Sequence, residues 1–246
     1  MSDNKEIAIS VNDLHVYYRD MNRFSLKKGL KNKGSGKVFK AVKGVTFEIP
    51  KGQILGICGK NGSGKSTLLR AISGIFSPDK GSINLHGNTI SLLSIGVGFQ
   101  KQLTGYENIY LSGMLLGYTK EQIDEKVDDI INFSELGEFI NRPVRSYSSG
   151  MYSKLAFSIT AILETDIILI DEVLSVGDIH FKEKSYNKMK ELISDSNRTV
   201  VIVSHSSKTI TELCDRVIWL HEGLIREEGD PEKIMTKYEE FMREEA

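Results

Sequence analysis

The stretch Gly59-Lys60-Asn61-Gly62-Ser63-Gly64-Lys65-Ser66-Thr67 matches the pattern G-x-x-x-x-G-K-[ST] at every fixed position. Residues 53–58 before it form a short apolar run that predicts a buried strand, and residues 67–72 after it have the apolar spacing of a helix. In such a strand, loop and helix, glycines let backbone N–H groups point at phosphate oxygens, and the helix N-terminus attracts the same anion. The stretch therefore predicts a nucleoside triphosphate site, with Lys65 on the β- and γ-phosphates and Ser66 as a Mg²⁺ ligand.

Composition limits the classes of protein to which the chain can belong. Its 246 residues, 40% hydrophobic and 26% charged, indicate an ordinary globular protein, and its formal net charge of −1 argues against nucleic acid as a partner. The N-terminus has no apolar signal region and no apolar run is long enough to cross a bilayer, so we expect no membrane span. The two cysteines, Cys58 and Cys214, occupy apolar positions, which favours inert core thiols over a disulfide.

Apolar patterns predict a mixed sheet around the phosphate loop. Residues 7–18 and 42–49 alternate apolar and polar side chains, which is typical of antiparallel edge strands. Residues 166–171 and 199–204 are continuous apolar runs, as in parallel strands that are buried on both faces. Two further short strands are expected, one around Ile83 and Leu85 and one within residues 90–97. The sequence thus predicts an α/β protein with a parallel core.

Helical patterns fill the rest of the chain. Residues 101–163 read as a helical lobe, and residues 232–243 have apolar side chains on one side of a helix. The lobe contains two capping boxes, which mark helix starts. They pair Thr104 with Glu107 and Thr119 with Gln122.

Acidic and imidazole groups follow the two predicted parallel strands. Asp171 ends the first of them and can hold the Mg²⁺ shell, and the adjacent Glu172 can polarise the attacking water. His205 follows the second strand, where its imidazole could contact the γ-phosphate. The sequence therefore predicts that hydrolysis takes place at the edge of the sheet that carries the phosphate loop.

The stretch Tyr147-Ser148-Ser149-Gly150-Met151 precedes an amphipathic helix and resembles the LSGGQ signature of ATP-binding-cassette ATPases. Ser148 and Gly150 match the commonest form of that signature, whereas Ser149 and Met151 depart from it. Further motifs resemble the same family in the family's order, so the resemblance runs from about residue 7 to residue 229. These are the adenine-stacking aromatic (Tyr18), the Q-loop (Gln100), the D-loop (Ser175-Val176-Gly177-Asp178) and the switch histidine (His205).

The resemblance implies an α/β P-loop NTPase fold of the ABC ATPase type, with a mixed β core, an antiparallel β edge and a helical subdomain. Residues 1–246 are then one nucleotide-binding domain, made of a RecA-like lobe (1–100 and 164–230), a helical subdomain (about 101–163) and a C-terminal helix (about 231–244). The implied catalytic residues are Glu172, His205 and Gln100, and the implied Mg²⁺ ligands are Ser66, Gln100 and Asp171. The implied ATP contacts are Tyr18, Gly59, Asn61, Gly62, Ser63, Gly64, Lys65, Ser66 and Thr67, joined across a dimer by Ser148, Ser149, Gly150 and Asp178.

Four segments carry a narrower resemblance, to the ATPase subunits that export teichoic acids and O-antigen polysaccharides: residues 103–109, 147–151 with 154–158, 171–178 and 213–216. That subfamily implies a homodimer beneath two membrane-spanning permease subunits, at the cytoplasmic face of the membrane, exporting a lipid-linked polymer. Some O-antigen members carry a C-terminal sugar-binding domain, and the sequence ends without one. We therefore expect a teichoic acid, capsule or rhamnose-rich polymer as the transported substrate.

A basic segment before the phosphate loop is similar to an insertion in those exporters. Residues 19–40 contain eight Lys or Arg residues against the single acid Asp20. Such a run indicates either a solvated loop or a contact with anionic lipid or with the diphosphate of the polymer.

Other ATPases of the same family remain open from the motifs alone. An iron–sulfur assembly ATPase also consists of a single domain of about this length, and an ABC ATPase could serve another transported substrate. A DNA-repair or chromosome-structuring ATPase is disfavoured, because no heptad run long enough for its coiled coil is present.

Overall fold

A computed structural model describes residues 6–19, 38–93, 96, 98–171 and 178–244. The strands are β1 (Ile7–Arg19), β2 (Val38–Pro50), β3 (Ile54–Cys58), β4 (Lys80–Asn84), β5 (Ile90–Leu92), β6 (Ile167–Asp171), β7 (Thr199–Val203), β8 (Arg216–His221) and β9 (Leu224–Gly229). The α-helices are α1 (Lys65–Ile72), α2 (Gly105–Leu115), α3 (Lys120–Asp124), α4 (Val127–Ser134), α5 (Ser149–Ile162), α6 (Ile179–Ser194), α7 (Ser207–Leu213) and α8 (Pro231–Glu244).

The larger sheet has six strands in the order β5-β6-β7-β3-β8-β9. Neighbours from β5 to β8 pair in parallel, and β9 closes the sheet as an antiparallel edge. Every residue of β7 is buried, as its unbroken apolar run predicts. Parallel pairing brings the carboxyl ends of β3, β6 and β7 to one edge of the sheet. The phosphate loop, Asp171 and His205 leave the sheet at that edge.

The smaller sheet is antiparallel, with three strands in the order β2-β1-β4. The predicted antiparallel edge is thus confirmed, and its strands pair with one another rather than with β3. The chain changes sheet after Pro50, where a turn through Gly52 with φ 74° separates β2 from β3. Helix α1 packs between the two sheets, because Leu68 and Leu69 share one buried cluster with side chains from both.

All regular elements between residues 105 and 162 are helical, as predicted. Both capping boxes form: Thr104 caps α2 and Thr119 caps α3, each with the reciprocal contact from Glu107 or Gln122. Buried aliphatic side chains from α2 to α5 form a separate cluster of their own. Helix α5 also packs on the larger sheet, because its Phe157 is buried against Phe181 of α6 and the apolar side chains of β6 and β7.

The structure departs from the sequence-based predictions at one hairpin, and it allows only a partial comparison at two other segments. Strands β8 and β9 form a hairpin that the apolar patterns did not predict, whereas α8 occurs where its pattern placed it. Strand β5 covers only the first part of the expected 90–97 strand, and residues 94, 95 and 97 lie outside the described residues. The basic segment, residues 19–40, also lies outside the described residues except at its ends.

Among the helices that the structure describes, none combines the length and apolarity needed to cross a membrane.

Candidate functional site

The phosphate loop is held in a shape that its glycines make possible. Gly59 has φ 146°, and a Cβ there would lie 2.1 Å from the carbonyl oxygen of Leu220 in β8. Gly64 has φ 104°, and a Cβ there would lie 2.4 Å from the carbonyl oxygen of Ala41 in β2. Residues with side chains would be strained at both positions and would collide with backbone. The loop therefore packs closely against β8 and β2, and α1 begins at Lys65, directly after Gly64.

Lys65 crosses the inside of this loop. Its side chain is buried, and Nζ donates hydrogen bonds to the carbonyl oxygens of Gly59 (2.7 Å) and Lys60 (2.9 Å). The hydroxyl of Ser63 is also buried, and it has no hydrogen-bond partner among the described residues. A buried ammonium, an unpaired hydroxyl and the N-terminus of α1 together favour an anionic ligand with several oxygens.

The predicted Mg²⁺ ligands Ser66 and Asp171 meet in the structure. Ser66 Oγ, in the first turn of α1, donates to Asp171 Oδ1 at the end of β6 over 3.2 Å. A hydroxyl and a carboxylate so close together, beside a phosphate loop, are the hard oxygen donors that Mg²⁺ prefers. The residues present therefore fit the metal, which would complete its shell with water and phosphate oxygens.

A cavity of about 170 Å³ opens above the phosphate loop. Its lining brings seven of the predicted site residues together: Asn61, Gly62, Gly64, Lys65, Ser66, Thr67 and His205. Phe39 and Ala41 of β2 complete the lining and were not among the predicted residues. No local signal in the sequence marks Phe39, because it falls in the basic segment and its exposure at the start of β2 is seen only in the structure. Gly59 and Ser63 belong to the loop but do not line the cavity.

Tyr18 lies beside this cavity without lining it. Its hydroxyl is 3.1 Å from Thr67 Oγ1, and its ring centroid is 6.4 Å from that of Phe39 and 5.9 Å from that of Phe76. Phe39 is more exposed than Tyr18, at 60% against 42%. The surface available to a base beside the loop is therefore an aromatic pair rather than one tyrosine.

Gln100 is exposed, and its backbone is fixed by a buried amide. Asn108 of α2 accepts a hydrogen bond from the Gln100 N–H at 2.7 Å and donates one from Nδ2 to the Gln100 carbonyl at 3.0 Å. Asn108 is completely buried. Gln100 does not line the loop cavity, so its contact with a nucleotide or metal stays a prediction.

Ser148 and Gly150 of the predicted signature line a second cavity, of about 370 Å³. Ser148 caps α5 by accepting a hydrogen bond from the Met151 N–H at 3.2 Å. The lining consists of Ser148, Gly150, Asp178, Glu135, Leu136, Phe139, Met151 and Lys154. Ser149 begins α5 but is not part of the lining. The two cavities have no lining residue in common.

Asp178 links α5, the helix that Ser148 caps, to α6. Its carboxylate accepts hydrogen bonds from Lys154 Nζ at 2.7 Å and from the Phe181 N–H at 3.0 Å, so it both pairs with α5 and caps α6. These contacts, that of Lys154 first, lower the pKa of Asp178 to about 2. Lys154 Nζ also lies 3.4 Å from Glu135 Oε2. Asp178 is therefore a carboxylate at neutral pH, and its ion pair with Lys154 lies at the edge of the second cavity.

Two predicted features lie outside the described residues. They are the candidate catalytic carboxylate Glu172 and the D-loop residues 175–177, so their roles stay predictions.

Together, the glycine loop, the buried Lys65 and the Ser66–Asp171 pair define a P-loop nucleotide-binding protein. Comparison with known proteins gives the family. The model of the ABC transporter family matches residues 42–175, and the chain belongs to that family.

Curated relatives extend this similarity along the chain. The chain is 42% identical over 207 residues to the O-antigen export system ATP-binding protein RfbB of Klebsiella pneumoniae, covering 84% of each protein. It is 45% identical over 212 residues to the teichoic acids export ATP-binding protein TagH of Lactococcus lactis, covering 86% of this chain and 45% of that protein. The chain thus spans about half or less of the length of several curated relatives that it matches.

Solved structures support the fold. A dimeric, post-hydrolysis structure of the ATP-binding cassette MJ0796 bound to ADP and Pi matches with a TM-score of 0.67 at 22% identity. The match covers 91% of this chain and 98% of that one. The fold class predicted from the sequence is therefore confirmed.

Proposed function

We propose that this chain is the ATP-hydrolysing subunit of an exporter that moves a lipid-linked cell-surface polymer across the cytoplasmic membrane. The observation that carries the ATPase part is the phosphate loop with Lys65 buried inside it and the Ser66–Asp171 contact at its side. The similarity to O-antigen and teichoic acid export proteins supports the transported class, a teichoic acid or polysaccharide.

Each group of the site would have a separate task. The loop N–H groups and Lys65 would bind the phosphates, and Phe39 with Tyr18 would hold the base. Mg²⁺, held through Ser66 and Asp171 with Gln100 as a further candidate, would neutralise charge on the phosphate oxygens. Glu172 would orient the attacking water and accept its proton, and His205 would contact the γ-phosphate.

The working form is proposed to be a homodimer. Ser148 and Gly150 open onto a cavity of their own, and in one chain no residue of the signature stretch lines the cavity above the phosphate loop. A second copy, turned by a two-fold axis, would bring each signature helix N-terminus to the partner's triphosphate. Closure would then depend on the γ-phosphate, because ADP lacks that contact. The dimer would work beneath two membrane-spanning permease subunits at the cytoplasmic face.

The test separates hydrolysis from export. The purified chain with its membrane subunits should hydrolyse MgATP; Lys65→Ala should weaken nucleotide binding, and Glu172→Gln should keep binding and lose turnover. In cells that lack the chain, surface polymer should fall and return with the parent but not with Lys65→Ala. Parental turnover by Glu172→Gln would refute the catalytic assignment, and normal surface polymer without the chain would refute the export assignment.

A further inference from the structure

The C-terminal helix α8 contacts the phosphate loop through one aromatic ring. Lys60, the second residue of the loop, places its Nζ 5.3 Å from the ring centroid of Phe241. This distance is that of a cation–π contact, in which the ammonium is attracted to the ring face. Phe241 lies near the end of α8, far from Lys60 in sequence. Neither residue lines the loop cavity, so the contact reaches the loop from outside the nucleotide site.

Phe241 is held in place by side chains of the β8–β9 hairpin. Its ring centroid is 5.2 Å from that of the buried Trp219 and 5.2 Å from that of His221, which meets it edge-on. On β9, the guanidinium of Arg226 lies 4.1 Å from the Phe241 ring and 4.4 Å from the Trp219 ring. Side chains of β8 and β9 therefore fix the Phe241 ring, which makes the cation–π contact with Lys60.

The backbone of Lys60 is part of the network that shapes the loop. Its carbonyl accepts a hydrogen bond from Lys65 Nζ at 2.9 Å and another from the Ser63 N–H at 3.1 Å. A shift of Lys60 would therefore move the Lys65 ammonium, which is proposed to bind phosphate. It would also move the turn that presents the loop N–H groups. The side chain of Lys60 and its carbonyl thus join α8 to Lys65.

We propose that Phe241 is a positioning residue, which fixes the phosphate loop for nucleotide binding by holding the side chain of Lys60. The proposal rests on the nucleotide site proposed above, but Phe241 does not line the loop cavity. It makes α8 a structural element through which a change at the C-terminal end of the domain alters nucleotide affinity.

A double-mutant cycle on the full chain tests the coupling. Phe241→Leu keeps an apolar side chain and removes the ring face, and Lys60→Met keeps the stem and removes the charge. Each variant should raise the Kd of a fluorescent trinitrophenyl-ATP by about two- to fivefold, the range that corresponds to a cation–π contact without full desolvation. The double variant should lose no more than either single variant, because both changes remove the same contact.

Tyr238→Leu is the matched control. Tyr238 lies one turn earlier on α8 and packs on Trp219 with ring centroids 5.5 Å apart, whereas the cation–π contact of Lys60 is with Phe241. This variant should lower the thermal midpoint as Phe241→Leu does, and it should leave the Kd unchanged. An equal Kd change in Tyr238→Leu, or additive changes in the double variant, would show a general packing effect and overturn the proposal.

Amide hydrogen exchange in the nucleotide-free chain gives an independent answer. The Ser63 N–H, bonded to the Lys60 carbonyl, should exchange about two- to fivefold faster in Phe241→Leu and at the parental rate in Tyr238→Leu. Unchanged exchange in Phe241→Leu would overturn the inference. A parent chain that binds no nucleotide would instead contradict the proposed function, and the exchange rates would still decide the role of Phe241.

Discussion

Phe39 and Tyr18 place two aromatic rings beside the phosphate loop, and the proposed stacking of the base on Phe39 can be measured. Phe39→Ala should raise the Kd of both ATP and ADP at least about fivefold, because one face of base stacking is lost. Isothermal titration measures both constants. The affinity for inorganic triphosphate, which has no base, should stay unchanged.

Tyr18→Phe provides the control for this substitution. It keeps the ring and removes only the hydroxyl contact with Thr67, so ATP affinity should change by less than about twofold. If Phe39→Ala weakened triphosphate binding as much as ATP binding, Phe39 would act on the shape of the loop rather than on the base.

Cys58 and Cys214 are predicted to be inert thiols in the folded chain. Burial raises the pKa of each thiol to about 12, and Cys214 Sγ faces Gly56 in β3. Since the thiolate is the reactive form, both should resist dithionitrobenzoate at pH 8 and react fully in urea. Raising the pH to 9 should add little labelling, because that pH remains far below the folded pKa. Fast labelling of the native chain at pH 8 would contradict this prediction.

At the scale of elements, the Lys154–Asp178 ion pair joins α5 to α6 beside the second cavity. The folded pKa of Asp178, about 2, lies below its ordinary value of 3.8. The carboxylate therefore adds stability that is present above pH 3.8 and is lost as the pH falls toward 2. Asp178→Asn keeps a residue that caps helices well and removes this charge.

The parent should consequently lose more stability than Asp178→Asn between pH 5 and pH 3, as measured by urea midpoints. Glu183→Gln, which neutralises an exposed acid on the same helix, serves as the control and should follow the parent. Equal pH dependence in the parent and Asp178→Asn would show that the ion pair makes no net contribution to stability.

Elements with strong local signals were predictable from the sequence. The β3, loop and α1 unit, the two capping boxes and the apolar strands β6 and β7 each carry their own pattern. The β8–β9 hairpin does not, because β9 alternates exposed and half-buried side chains and its strand identity depends on pairing with β8. Similarly, nothing local to Phe39 or Phe241 shows that they approach the phosphate loop. Those contacts depend on how β2 and α8 pack.

At the scale of the whole molecule, the sequence grouped the site residues by motif and the structure divides them between two cavities. Asn61, Gly62 and residues 64–67 line the first cavity with His205, whereas Ser148, Gly150 and Asp178 line the second, at the start of α5. The first group could be predicted because its residues are nearly contiguous. How the first group meets the second depends on a second copy of the chain. That relation therefore rests on the proposed dimer.

The measurement that tests this dimer most directly mixes two inactive subunits. Ser148→Arg blocks the signature side, and Lys65→Ala damages the phosphate loop. A dimer with one subunit of each kind has one composite site with both halves intact and one with both halves damaged. Each variant alone should be nearly inactive.

ATPase activity should therefore reappear in proportion to the mixed dimers, peaking near equal amounts of the two subunits at up to about half the parental rate per mixed dimer. The proposal of composite sites predicts this rise. Mixtures as inactive as either variant at every ratio, in samples where mass spectrometry shows that mixed dimers have formed, would contradict it.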